Sequence, residues 1–241
     1  MPSSLYVSLS AQIALERRLN TVANNVANMS TAGFRAEEVR FETVLSKLGE
    51  QEVAFATTGE TYISRRAGPV SYTGNKLDVA VNGDAWFGVD TPAGVAYTRD
   101  GRMQITESGD LQSVEGHPIV DAGGAPIALD PQGGEVTIGH DGSIVQGGRQ
   151  MGVLGLFLLP ENSQLTRYGD SAVLSDKEGN PVEDRVANGV KQGFLEGANV
   201  NPVMEMTKLI MISRTFDSAA SAVQQSENTQ QQAIRELGPS S

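Results

Sequence analysis

Residues 5–29 read LYVSLSAQIALERRLNTVANNVANM, and within them Leu5, Ser8, Gln12, Leu15, Leu19, Val22, Val26 and Met29 recur at steps of three and four. That period lines them along one stripe of an α-helix, which Leu9 and Ile13 widen. Gly33, able to take the left-handed conformation that closes helices, predicts where this helix stops. The far end of the chain carries a second helical pattern. Asn201 can cap it, Pro202 suits its first helical position, and Glu205 favours the positive end of its dipole. The capping box is incomplete, because Met204 holds the third position. From there Met206, Leu209, Ser213, Phe216, Ala220, Val223, Glu227, Gln230, Ile234 and Leu237 run at heptad spacing to the stop signal Gly238-Pro239. At ~1.5 Å per residue this helix would be roughly 55 Å long.

Between the helices the texture changes to short apolar runs broken by Asn82-Gly83, Asp100-Gly101, Ser108-Gly109, Glu115-Gly116, Gly123-Gly124, Asp141-Gly142 and Glu178-Gly179. These are turn signals between strands. Leu77-Val79-Val81, Trp86-Phe87-Val89, Val136-Ile138 and Val153 to Leu159 read as strands, so residues 76–200 are predicted to form an all-β domain. Residues 35–75 read as a mixed connector: Val39, Val44, Leu45 and Leu48 allow a helix, whereas Val53 to Phe55 and Tyr62-Ile63 look extended. The expected fold is mostly β with long terminal helices. Residues 1–34 and 201–241 form one discontinuous helical module of coiled-coil type, and the β domain is inserted between them. Each helix alone would leave its apolar stripe in water, at ~1.5 to 3 kcal/mol per large side chain, so pairing within or between subunits is the expected outcome.

Charge is distributed to match. The 241 residues carry a formal net charge of −11. Residues 1–34 contribute Glu16, Arg17 and Arg18, and residues 202–241 contribute three bases and four acids, so the middle holds the acidity. Near-neutral ends can crowd against identical ends, while an acidic middle suits a solvated face. No basic cluster exceeds the pairs Arg17-Arg18 and Arg65-Arg66, which argues against nucleic acid and anionic membranes as partners. The chain has no Cys, which excludes disulfides and thiolate chemistry. The N-terminal segment lacks the basic and apolar regions of a cleaved signal peptide, so any export is expected to use another route.

Residues able to carry reaction chemistry are scarce. His117 and His140 each sit in a turn signal, and the chain lacks G-x-S-x-G, H-E-x-x-H, a P-loop and a calcium loop. Glu37-Glu38 and Glu183-Asp184 read as solvated carboxylates. No catalytic residue, cofactor, metal or small-molecule substrate is expected. The unusual feature is Asn20, Asn24 and Asn28 at i, i+4 and i+8, since Asn is a poor helix former. On a helix these amides form a polar line beside Leu15, Leu19, Val22 and Val26, able to fix the register of adjoining helices. The sequon Asn28-Met29-Ser30 follows no secretory signal and reads as chance.

Thr21-Val-Ala-Asn-Asn-Val-Ala-Asn-Met-Ser-Thr-Ala-Gly-Phe-Arg35 resembles the N-terminal signature of the bacterial flagellar rod and hook protein family. Gly193-Phe-Leu-Glu-Gly-Ala-Asn-Val-Asn-Pro-Val-Met-Glu-Met206 resembles that family's lead-in to its C-terminal helix, and Ile212-Ser-Arg-Thr-Phe216 its Arg-aromatic stretch. Thr73-Gly-Asn-Lys-Leu-Asp-Val-Ala-Val-Asn-Gly-Asp84 and Tyr97-Thr-Arg-Asp-Gly-Arg102 resemble the start of its β domain. Lys76, Ala85-Trp86 and Met103 depart from the common pattern, at turn and β-packing positions. Among the family's branches the length and Thr73-Gly74-Asn75 look most like the proximal rod protein, with the distal rod protein the near competitor.

The resemblance implies a structural rod subunit in the periplasm that transmits torque and is exported by the flagellar type III apparatus. Its implied partners are other rod proteins and copies of itself. The assembly interface is expected at Leu15, Leu19, Val22, Asn24, Asn25, Val26, Asn28, Met206, Leu209, Phe216 and Val223. A rival of another class is a β-domain enzyme or binding module oligomerised by its terminal helices. That reading requires convergent carboxylates in a pocket or exposed aromatic residues, for which the sequence offers little beyond Trp86 and Tyr97.

Overall fold

The computed structural model describes residues 2–40, 43–48, 51–56 and 60–237, and it is mostly β with one helix at each terminus, as the sequence pattern predicts. The chain forms two compact units. One comprises Met1–Ala27, Glu37–Thr61 and Asn201–Ser241, and the other Asn28–Ala36 and Tyr62–Val200.

In the first unit α1 (Pro2–Ala27) packs with α2 (Pro202–Leu237) and lies beside β1 (Glu37–Arg40) and β3 (Gln51–Ala56). β2 (Thr43–Leu48) pairs antiparallel with β3, from Thr43↔Ala56 to Leu48↔Gln51. The helical reading of Val39, Val44, Leu45 and Leu48 is therefore replaced by strands β1 and β2. Both segments contain β-branched residues, whose stiff side chains favour extended backbone over a short isolated helix. The start of α2 is as predicted: the Asn201 side chain accepts the Met204 N–H at 3.1 Å, and the Asn201 carbonyl accepts the Glu205 N–H at 3.0 Å. The end of α1 is not. The helix stops at Ala27, six residues before Gly33.

In the second unit the chain turns at once. Asn28 O accepts the Thr31 N–H at 3.0 Å, and the Thr31 hydroxyl donates to Asn28 Oδ1 at 3.1 Å. The Asn28 carbonyl thus bonds three residues on instead of four, and its side chain braces the same turn through the Thr31 hydroxyl, so the chain leaves the helix here. Gly33 has another duty: its φ is +68°, and a Cβ there would lie 2.1 Å from the Asp100 backbone nitrogen.

The remaining strands follow in chain order: β4 (Glu60–Ile63), β5 (Val70–Tyr72), β6 (Val79–Asn82), β7 (Trp86–Thr91), β8 (Gly94–Thr98), β9 (Met103–Ile105), β10 (Leu111–Ser113), β11 (Val136–Ile138) and β12 (Ser143–Gln146). After them come β13 (Arg149–Val153), β14 (Leu156–Leu158), β15 (Leu165–Tyr168), β16 (Ala172–Ser175), β17 (Asn180–Pro181), β18 (Gly189–Gln192) and β19 (Phe194–Glu196). The largest sheet has the order β15-β16-β8-β7-β14-β17. Strand alternation sends Phe87, Val89, Ala96, Leu156 and Ala172 into one buried cluster and Trp86, Tyr97, Phe157 and Val173 into another. The sheet is thus covered on both faces, which explains why Trp86-Phe87-Gly88-Val89 reads as a continuous apolar run.

The run Val153 to Leu159, expected to be one strand, is two. Gly155 interrupts it by passing so close to β7's neighbour that a Cβ would sit 2.5 Å from the carbonyls of Val120 and Asp121. Its N–H donates to Val120 O at 2.9 Å, so the interruption is itself hydrogen bonded. Gly33→Ala combines a left-handed backbone with a backbone clash. It is expected to destabilise the second unit by about 2 kcal/mol or more, measured as a lower urea midpoint of Trp86 fluorescence.

Candidate assembly interface

The inner seam of α2 consists of Glu205, Leu209, Ile212, Phe216, Ala219 and Val223, at alternating steps of four and three. Glu205 and Ile212 are buried and the others half-buried. The predicted stripe shares Leu209, Phe216 and Val223 with this seam but misses its phase elsewhere. Met206 is 43 % exposed and Ser213 is exposed, because the seam turns through Glu205 and Ile212. On α1 from residue 10 onward the buried residues are Ala14, Thr21, Val22 and Asn25, with Leu15, Leu19, Asn24 and Val26 half-buried at their side. Asn28, beyond the helix, is half-buried in its turn.

Asn25 explains the polarity of this seam. Its side-chain carbonyl accepts the Glu37 N–H at 2.8 Å, and its Nδ2 donates to the Glu37 carbonyl at 2.8 Å and to Glu205 Oε2 at 3.4 Å. One amide thus satisfies both backbone groups of β1's first residue and touches the adjoining helix. Lys208 completes the site by donating to Glu205 Oε1 at 2.5 Å, which gives the buried carboxylate a counter-charge. The expected amide line of Asn20, Asn24 and Asn28 does not form along the helix: Asn20 is exposed and Asn28 lies beyond Ala27, while Asn25, between them, is the amide that enters the seam. Glu205 was legible only as a first-turn acid.

Four large apolar residues of α2 also point outward. At 100° per residue, Val203 and Ile210 share one line and Met204 and Met211 another about 100° further round, with Thr207 and Arg214 between them, both lines away from Glu205 and Ile212. The exposures of Val203, Ile210, Met204 and Met211 are 74 %, 54 %, 57 % and 63 % respectively. A helix with apolar residues on both sides has more stripe than its own chain covers.

The second unit holds a buried ionic cluster within itself. Glu196 on β19 is 1 % exposed and accepts from Arg35 Nη2 at 2.8 Å, from Arg99 Nε at 2.7 Å and from the Gly68 N–H at 2.7 Å. Both guanidinium groups are 2 % exposed. Arg99 also donates to the carbonyls of Gly83, at 2.9 Å, and Ala85. Arg35 also donates to the Arg66 carbonyl and lies over the Trp86 ring at 5.3 Å. Burial pushes the Arg35 guanidinium down to about 10, opposed by Glu196 and reinforced by the like charge of Arg99, so it remains charged at neutral pH.

Asn199 extends the clamp three residues on. It accepts the Ala36 N–H at 2.6 Å and donates to the Arg66 carbonyl at 2.7 Å and Ser64 Oγ at 3.3 Å. Residues 33–36, 64–68 and 196–199 are thereby laced together. Of the three, only Glu196 carries a sequence signal, as the one charged residue of Gly193-Phe-Leu-Glu-Gly-Ala-Asn-Val200; Arg35 and Arg99 have charged neighbours at Glu37 and Asp100. Among the described residues, no group of His, Asp and Glu is placed to hold a metal ion, and no helix is long and apolar enough to cross a membrane.

Three family models match the chain in order. The first, flagella basal body rod protein, matches residues 5–35. The second, the flagellar hook protein FlgE/F/G D1 domain, matches residues 80–146, and the third, flagellar basal body rod FlgEFG protein C-terminal, matches residues 191–236. The chain is 50 % identical over 241 residues to the flagellar basal-body rod protein FlgF of Mesorhizobium japonicum, with 100 % of both chains covered. It is 47 % identical over 240 residues to FlgF of Rhizobium meliloti, again with 100 % of both covered. To the flagellar basal-body rod protein FlgG of Bacillus subtilis it is 27 % identical over 260 residues, with 97 % of this chain and 98 % of that one covered. Replacing Asn25 with Ala removes its hydrogen bonds to both backbone groups of Glu37 and to Glu205, and is expected to lower stability by about 1–3 kcal/mol, read from helix ellipticity during urea unfolding.

Proposed function

The chain belongs to the flagellar basal-body rod protein family, a structural and not an enzymatic component that assembles with other rod proteins, and we propose that it builds the proximal rod through its terminal helices. The observation that carries this reading is the two-sided apolar character of α2. Its inner seam is occupied within the chain, and its outer line, Val203, Met204, Ile210 and Met211, faces away. Neighbouring helices of rod proteins, including further copies of this chain, cover that outer line in a coiled-coil manner. Leu15, Leu19, Val22, Asn24, Asn25, Val26, Asn28, Leu209, Phe216 and Val223 set the geometry of the helices that meet, and Met206 sits at the edge of the outward face.

Torque is then carried by many interdigitated side chains. Each apolar group buried on assembly contributes about 25 cal/mol per Å² removed from water, so no single contact governs the load. A screw repeat of one heterologous contact gives a rod of indefinite length, and changes of partner give it ends. The near-neutral helices suit this packing, and the acidic middle limits wrong contacts by charge repulsion. The rod lies in the periplasm, and the chain reaches it unfolded through the flagellar type III apparatus. A sequence free of Cys has no disulfide to hinder threading.

Ile210→Asp with Met211→Asp tests the reading without disturbing the inner seam. The double variant is expected to keep wild-type helix content and Trp86 fluorescence, while flagellated cells and motility fall to the level of a strain lacking the protein. Normal motility would count against the outer line as an assembly surface.

A further inference from the structure

The buried cluster of the second unit draws its charges from distant parts of the chain. Arg99 and Glu196 are 97 residues apart in sequence, and Arg35 comes earlier still. Two cations and one anion meet there, with the exposed carboxylate of Asp84 as a further, solvated influence on Arg35. Remove Glu196 and two like charges would be buried together, Arg35 over Trp86, with the desolvation of Arg35 no longer opposed by its ion pair. The backbone repeats the dependence. β6 pairs with β18, β5 pairs with β19, and the Gly33 N–H donates to the Glu196 carbonyl at 2.8 Å.

We propose that residues 189–199 are a closing strap: the second unit stays open until β18 and β19 arrive, and Glu196 is the counter-charge that allows Arg35 and Arg99 to be buried. In a chain made from the N-terminus onward, Arg35 and Arg99 are present long before their anion. Premature closure over two unpaired guanidinium groups is disfavoured, so the β unit completes itself late and in one step. The strap adds two strand pairings and the central charge at the same moment, which couples main-chain order to side-chain burial.

Pulsed hydrogen exchange during refolding of the full chain from urea tests this directly. Amides of β7, β8, β14 and β16 are expected to gain protection with the same time constant as those of β18 and β19, within about a factor of two. Protection of β7 to β16 more than about ten-fold earlier than β18 and β19 would overturn the proposal. A variant pair tests its electrostatic basis. Glu196→Gln is expected to slow refolding, followed by Trp86 fluorescence, by about ten-fold or more, and adding Arg35→Gln is expected to restore part of that rate by removing one stranded cation. A double variant slower than Glu196→Gln would refute the counter-charge. If Glu196→Gln does not fold, the wild-type labelling decides alone.

Discussion

Glu196, a carboxylate with 1 % exposure held between two guanidinium groups, is the constraint on which the second unit depends. A buried charge is tolerable only when paired and fully hydrogen bonded, and Glu196 accepts from Arg35, Arg99 and the Gly68 N–H. Such a cluster is weak evidence of extra stability, because a well-packed apolar group of the same volume can do as well. Its value is specificity. The arrangement of residues 33–36, 64–68, 99 and 196–199 gives Glu196 three donors, with Arg35 Nε left as the one buried donor without a partner among the described residues, so the segments that lead into and out of the unit are held by chemistry as well as by packing.

The first unit uses a milder version of the same device. Asn25 and Glu205 place polar groups in an otherwise apolar seam, and each is satisfied by specific partners, Glu37 and Lys208. A purely apolar pair of helices can slide by a turn with little penalty, whereas an amide that must reach the backbone of one residue cannot. In the torque-bearing role proposed above, that fixed register matters more than additional stability. The outward residues Val203, Met204, Met206, Ile210 and Met211 of α2, by contrast, include three flexible Met side chains, which suit packing against neighbours of slightly different shape.

Much of this was legible in the sequence, and the failures have physical causes. The terminal helices, the cap at Asn201, the β middle and the strands containing Val79, Trp86 and Val136 follow from period and turn chemistry. The family was readable from blocks around Asn24-Asn25 and Asn199-Val200-Asn201. The end of α1 was placed too late, because Gly33 is required by its approach to Asp100 and not by the helix. The heptad pattern of α2 runs through Met206 and Ser213, whereas the seam admits a buried Glu at position 205, which no hydrophobic pattern would choose. The ionic cluster was missed for a related reason: pattern reading assigns charged residues to the surface, and their burial depends on pairings 97 residues or more apart. Gly155 split a strand through a backbone approach that only the tertiary structure reveals.

Native-state hydrogen exchange of the full chain, residue by residue, measures the central claim. If Glu196 anchors the second unit, the amides that donate to it, Gly33 to its backbone carbonyl and Gly68 to its carboxylate, open only when the whole unit opens. Their exchange should match that of the buried core residues Phe87 and Val89 to within about ten-fold. Exchange of Gly33 and Gly68 more than about a hundred-fold faster than Phe87 and Val89 would show that the cluster frays independently of the core and contradict the account.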